Sequence, residues 1–112
     1  MRVPPAFIAL ALTTAAAGRA AAQAPDGKAL YNENCKKCHG VVGHPPKTML
    51  AKFPKIYTFD SAFVAARSDD SVVKILTKGK NEDMVSFKDK LKPDEMRAIA
   101  KYLRELALRP HP

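Results

Sequence analysis

Apolar positions along the chain fall into two regimes. An apolar run from Val3 to Ala17 follows Arg2, carries Pro4 and Pro5 early, and closes at Gly18 and Arg19; Ala20, Ala21 and Ala22 come next. A basic start, a short apolar stretch and small residues before a cut describe a secretory leader. The run is also shorter than the ~20 apolar residues of a membrane span. The pattern therefore predicts a leader over residues 1–22, cut after Ala22, and one domain over 23–112. Beyond the leader, the apolar positions have helical spacing. Asp26 can cap a helix that starts at Gly27, carries Leu30 and Tyr31, runs into Cys35 and ends at Gly40. Residues 41–57 read as irregular, because Gly43, Pro45, Pro46 and Pro54 forbid a long helix or a central strand. A stretch of that length makes sense if it wraps something. Asp60 or Ser61 caps a short helical turn through Ala66. Ser68 caps a clearer helix, with Asp69 and Asp70 in its first turn, Val72, Val73, Ile75 and Leu76 on its apolar side, and Gly79 as its stop. After an irregular stretch over 80–92, Pro93 opens a final helix in which Met96, Ile99, Ala100, Leu103, Leu106 and Ala107 form one stripe. No strand pattern and no repeat occur, so the fold class is all-α, about four helices with long loops.

Charge and size add two constraints. The 112 residues include 19 basic and 11 acidic side chains, a formal charge of +8. Loss of Arg2 and Arg19 with the leader leaves 17 basic side chains and a charge of +6. A basic chain with a leader and no recognition motif is not expected to bind nucleic acid. A domain of about 90 residues buries a marginal share of its surface and needs a staple: disulfides, a metal or a cofactor.

Cys35 and Cys38 are the two cysteines, three positions apart. A disulfide over so short a loop constrains the unfolded chain little and would suit a redox dithiol. Zinc would need two more ligands at finger-like spacing, which His44 in the Pro-rich loop and the penultimate His111 do not offer. His39, directly after Cys38, makes Cys35-Lys36-Lys37-Cys38-His39 a C-x-x-C-H sequence, the haem-c attachment pattern. Two thiols on one helical turn can reach the two vinyl groups on one edge of a porphyrin, and the next residue offers its imidazole to the iron. Haem is the favoured reading, with the dithiol and the zinc site remaining beside it.

Gly27-Lys28-Ala29-Leu30-Tyr31, followed by Cys35 to Gly40, resembles the opening of class I c-type cytochromes, small soluble mono-haem proteins. Ile75 to Gly79, Met84 to Phe87, Leu91 and the last helix with Tyr102 are similar to their closing half. The resemblance covers residues 26–107. It implies the cytochrome c fold around one haem c, attached through Cys35 and Cys38. The first and last helices would cross, with Gly27 allowing close approach and Tyr31 packing near Ile99 and Tyr102. The resemblance implies His39 as one axial ligand and Met84 as the other, with Met96 in the core and Met49 the less favoured sulfur. It also implies a proline carbonyl as acceptor for the second His39 nitrogen: Pro46, with Pro45 as the alternative. Two positions depart from the family. Val85 stands where a proline usually follows the methionine, which implies a more mobile loop and a more easily broken iron–sulfur bond. Lys92 stands where a Ser or Thr cap is usual, a loss of about 1 kcal/mol.

The implied function is that of a periplasmic electron carrier, not an enzyme. Single electrons would pass through Fe(II)/Fe(III) with both axial positions filled. Lys36, Lys37, Lys47, Lys78, Lys80, Lys88, Lys90 and Lys92 fall in segments flanking the cysteine and methionine motifs. They point to redox protein partners with acidic docking surfaces, met by a monomer with no transmembrane span in the mature chain. The alternative is a haem enzyme or gas sensor in which Met84 is displaced by a small ligand, with Val85 as its support.

Overall fold

The computed structural model describes residues 1–6, 9, 11 and 24–109. Most of the expected leader, with its cut after Ala22, lies outside the described residues, as does His111. Six helices form among the described residues: α1 (Gly27–Asn34), α2 (Lys36–His39), α3 (Lys47–Lys52), α4 (Ser61–Ala65), α5 (Asp69–Lys78) and α6 (Pro93–Leu108). No described helix is long and apolar enough to cross a membrane. Outside the helices, a single antiparallel bridge among the described residues pairs Lys80 with Met84.

The helix starts follow the expected caps. The Asp26 carboxylate accepts from the Ala29 amide at 3.2 Å, Asp60 from Phe63 at 2.9 Å, and the Ser68 hydroxyl from Ser71 at 3.1 Å. Each satisfies an amide that the first helical turn leaves without a partner. At α6 the Lys92 side chain cannot accept a bond, and Glu95 reaches back to the Lys92 amide at 2.9 Å instead. That is one half of a capping box, and it recovers part of what the missing Ser or Thr would give.

Two elements differ from the expected pattern. The first helix is not continuous to Gly40: Cys35, at φ −122° and ψ −35°, ends α1 and starts α2. The Asn34 side-chain amide donates to the Leu30 carbonyl at 2.9 Å. This is the local competition with the helix ladder that makes asparagine a poor interior residue. The stretch over 41–57 contains α3. Pro46, at φ −61° and ψ 156°, is its N-cap, and Phe53 leaves the helix at φ −128° and ψ 80°. A residue before proline is pushed out of the α region, so Pro54 sets that end. The prolines forbid a long helix, and a six-residue one fits between them.

The core has α6 at its centre. α1, α4 and α5 all pack on α6. Half of the twelve buried apolar residues belong to α6: Met96, Ile99, Ala100, Tyr102, Leu103 and Leu106. Gly27 meets α6 so closely that an added Cβ would lie 2.2 Å from the Ala98 carbonyl oxygen. Tyr31 is fully buried and stacks edge-on to Tyr102 at 5.3 Å between ring centroids. Arg104 ties α6 to the α4–α5 junction. Its Nε is 2.6 Å from Asp69 Oδ1, and it donates to the Arg67 carbonyl at 2.9 Å and the Val64 carbonyl at 3.3 Å.

Candidate functional site

Cys35, Cys38 and His39 lie at the α1–α2 junction, where both cysteines are free and half-buried. Burial, and secondarily the neighbouring Cys38, pushes the Cys35 thiol up to about 12. Gly40 closes α2 at φ +88°, and a Cβ there would lie 2.0 Å from the His44 carbonyl oxygen, so only glycine lets the chain double back at that point. The Tyr31 hydroxyl donates to the Gly40 carbonyl at 2.7 Å. The core helix α1 thereby holds the segment just past the histidine.

His39 is fixed from two sides. Its Nδ1 lies 3.2 Å from the Tyr57 carbonyl oxygen, and its ring stacks on Phe59 at 4.5 Å with 25° between planes. The Phe59 amide donates to the Gly43 carbonyl at 2.8 Å, which brings residues 57–59 alongside the loop after the motif. Burial moves the His39 imidazole below its ordinary value, against a smaller opposing pull from the Tyr57 carbonyl. The neutral ring is thus favoured, with Nδ1–H donating to the Tyr57 carbonyl and Nε2 left open. The carbonyl that faces Nδ1 here is that of Tyr57. Pro46, the expected acceptor, is exposed at the N-cap of α3, while its alternative Pro45 is buried just before it. Sequence reading had no signal for a carbonyl 18 residues away whose position depends on the return of residues 57–59.

Met84 is half-buried and packs against the same core as Cys35. Met49 lies on α3 and is not among the residues packed on that core. Met96 is 2% exposed within the core, with the Thr77 hydroxyl 3.4 Å from its sulfur. The Met84 segment is fastened to the end of α5. Lys80 and Met84 exchange backbone bonds of 2.9 and 3.1 Å, and the Phe87 amide donates to the Leu76 carbonyl at 2.8 Å. The Ser86 hydroxyl donates to the Thr77 carbonyl at 2.5 Å. Gly79, at φ +76°, lies under this loop, and a Cβ there would be 2.7 Å from the Met84 carbonyl oxygen. Val85, in the place of the usual proline, is 61% exposed.

Tyr57 touches a further group of side chains. The Lys80 ammonium donates to its hydroxyl, and the Arg67 guanidinium lies 4.4 Å from the centroids of both the Tyr57 and Phe63 rings. The hydrogen bond from Lys80, followed by one from Arg67, draws the Tyr57 phenol below its ordinary value.

The donor set fits a haem c: two free thiols three residues apart, then a neutral imidazole with one nitrogen engaged and the other open. Helices around a central α6, with this motif at the first helix end, define a class I c-type cytochrome. The chain belongs to the family described as cytochrome c oxidase, cbb3-type, subunit III, whose profile matches residues 22–103. Its cofactor is a covalently bound haem c, and its activity is haem-based electron transfer with redox protein partners. It is similar to the structure of the KustC0563 c-type cytochrome, at 35% identity over 72% of this chain and 96% of that one, with a TM-score of 0.64. A Tyr-to-Phe mutant of that cytochrome gives 34% identity, 72% and 98% coverage, and a TM-score of 0.63. No curated protein matches the chain.

Proposed function

We propose that the protein is a periplasmic single-electron carrier whose haem iron is ligated by His39 and Met84, and that it is not an enzyme. The observation that carries this reading is the fastening of Met84. It is tied to the end of α5 by backbone bonds and packed on the core that Cys35 also borders, whereas Met49 is not packed there. The bound haem supplies the Fe(II)/Fe(III) couple. Cys35 and Cys38 hold it covalently; His39, steadied by Tyr57 and Phe59, presents Nε2; and Met84 presents a soft thioether that favours Fe(II). With His39 and Met84 both supplied by the chain, a bound haem would keep no site for oxygen or peroxide. Firm anchoring of both residues would keep rearrangement between oxidation states small.

In the same reading residues 1–22 are a leader removed after Ala22, and the mature chain is a monomer over 23–112. The start of the family match at residue 22 supports that boundary. Exposed Lys36, Lys37, Lys88 and Lys90, with the exposed apolar Val41 and Val85 beside the two motifs, form a surface suited to acidic partners. The test is the optical spectrum of the oxidised holoprotein. A sulfur-to-iron charge-transfer band is expected in the wild type and is lost in Met84→Ala. A high-spin wild-type spectrum with ready carbon monoxide binding selects the enzyme or sensor instead.

A further inference from the structure

Tyr57 bonds to both the His39 segment and the Met84 segment. Its carbonyl faces His39 Nδ1 at 3.2 Å. Its hydroxyl accepts from Lys80, whose own N–H and C=O close the bridge to Met84 at 2.9 and 3.1 Å. A continuous path therefore runs from His39 through Tyr57 and Lys80 to Met84. The path is braced from the core side. Arg67 lies on the Tyr57 and Phe63 rings, and Arg104 on α6 holds the Arg67 carbonyl at 2.9 Å. Tyr57 itself packs against buried Phe63, its ring tilted by 56° at 5.3 Å between centroids. Neither Arg67 nor Lys80 appears in the ion pairs of the described residues, which join Arg97 to Asp70 and Arg104 to Asp69. Their contacts converge on the tyrosine.

We propose that Tyr57 and Lys80 form a positioning pair that couples the two axial-ligand segments, so that the hold on Met84 depends on a tyrosine hydroxyl fixed on the histidine side. The usual family device for stiffening this loop is a proline after the methionine, and here that position is Val85. A side-chain link from Lys80 to Tyr57 restrains the same loop from outside it. The link restricts the segment preceding Met84, while proline would restrict the one following it. The proposal rests on the His39/Met84 reading above.

The experiment uses holoprotein and imidazole as a probe that competes with Met84 for the sixth position. Tyr57→Phe keeps the ring and the carbonyl bonded to His39 and removes only the hydroxyl. It should bind imidazole about fivefold more tightly than wild type, as expected for loss of one half-exposed hydrogen bond. Lys80→Met keeps the apolar stem, removes the ammonium and should give the same shift, with no further gain in the double variant. This second variant also covers the case in which Tyr57→Phe fails to load haem. A pair that serves only global stability moves the unfolding midpoint and leaves imidazole affinity unchanged, and that result overturns the coupling. Additive effects in the double variant overturn it as well. If the wild-type charge-transfer band survives in Met84→Ala, the ligand reading itself fails and the coupling falls with it.

Discussion

Tyr31 shows how much one hydroxyl can hold in place. Its ring is wholly buried between α1 and α6, and its hydroxyl donates at 2.7 Å to the carbonyl of Gly40, the residue after His39. Burial raises the phenol well above its ordinary value, so it remains a protonated donor at any physiological pH. Tyr31→Phe leaves a buried carbonyl without that partner and should cost about 1–2 kcal/mol, read as a lower urea midpoint of the holoprotein. The family resemblance implied that Tyr31 packs near Tyr102, and the ring contact agrees. Its polar role was not legible, because nothing in the chain order places the Gly40 carbonyl over the tyrosine. The same holds for His39. The imidazole was evident from its place after Cys38, but its Tyr57 acceptor and Phe59 stacking partner depend on a tertiary return of the chain.

Among the elements, starts and stops were legible wherever a local device sets them. Asp26, Asp60 and Ser68 cap as their chemistry dictates, and Gly79 ends α5. The break at Cys35 and the short helix α3 were not foreseen. Each depends on a balance between weak local preferences that only the surrounding packing decides. Two glycines separate structural from functional roles. At Gly27 an added Cβ meets the Ala98 backbone of α6. Gly27→Ala should therefore destabilise the holoprotein by about 2 kcal/mol through overpacking, with the sulfur-to-iron band retained in the molecules that fold. At Gly79 the Cβ meets the Met84 loop, and φ is +76°. Gly79→Ala should weaken that band in folded protein, with a smaller effect on the α1–α6 contact. Circular dichroism for the helices and visible absorption for the iron separate the two outcomes.

For the whole molecule, charge governs encounters. The chain carries eight more basic than acidic side chains, and Lys36, Lys37, Lys88 and Lys90 are exposed near the two motifs; in the proposed reading these lysines steer an acidic partner. Electron transfer to an anionic partner should slow steeply as salt rises from about 10 mM to 150 mM, because screening shortens from ~30 Å to ~8 Å over that range. Stopped-flow rates that stay flat with ionic strength would remove the docking surface from the account. The +8 charge was visible in the sequence, whereas the exposure of Val41 and Val85 needed the fold.

The placement of α6 also has a consequence in time. Half the core side chains belong to α6, which follows every other described helix in the chain, and α1 finds its packing partner there. From the moment Cys35 and Cys38 are made until residues 93–108 follow, the core beside them cannot form. Large non-local contacts form only once both partners exist. Until α6 is present, α1 and the thiol-bearing segment at its end lack the surface on which they pack, so the attachment motif reaches its final setting only after the segment about sixty residues further along has been made.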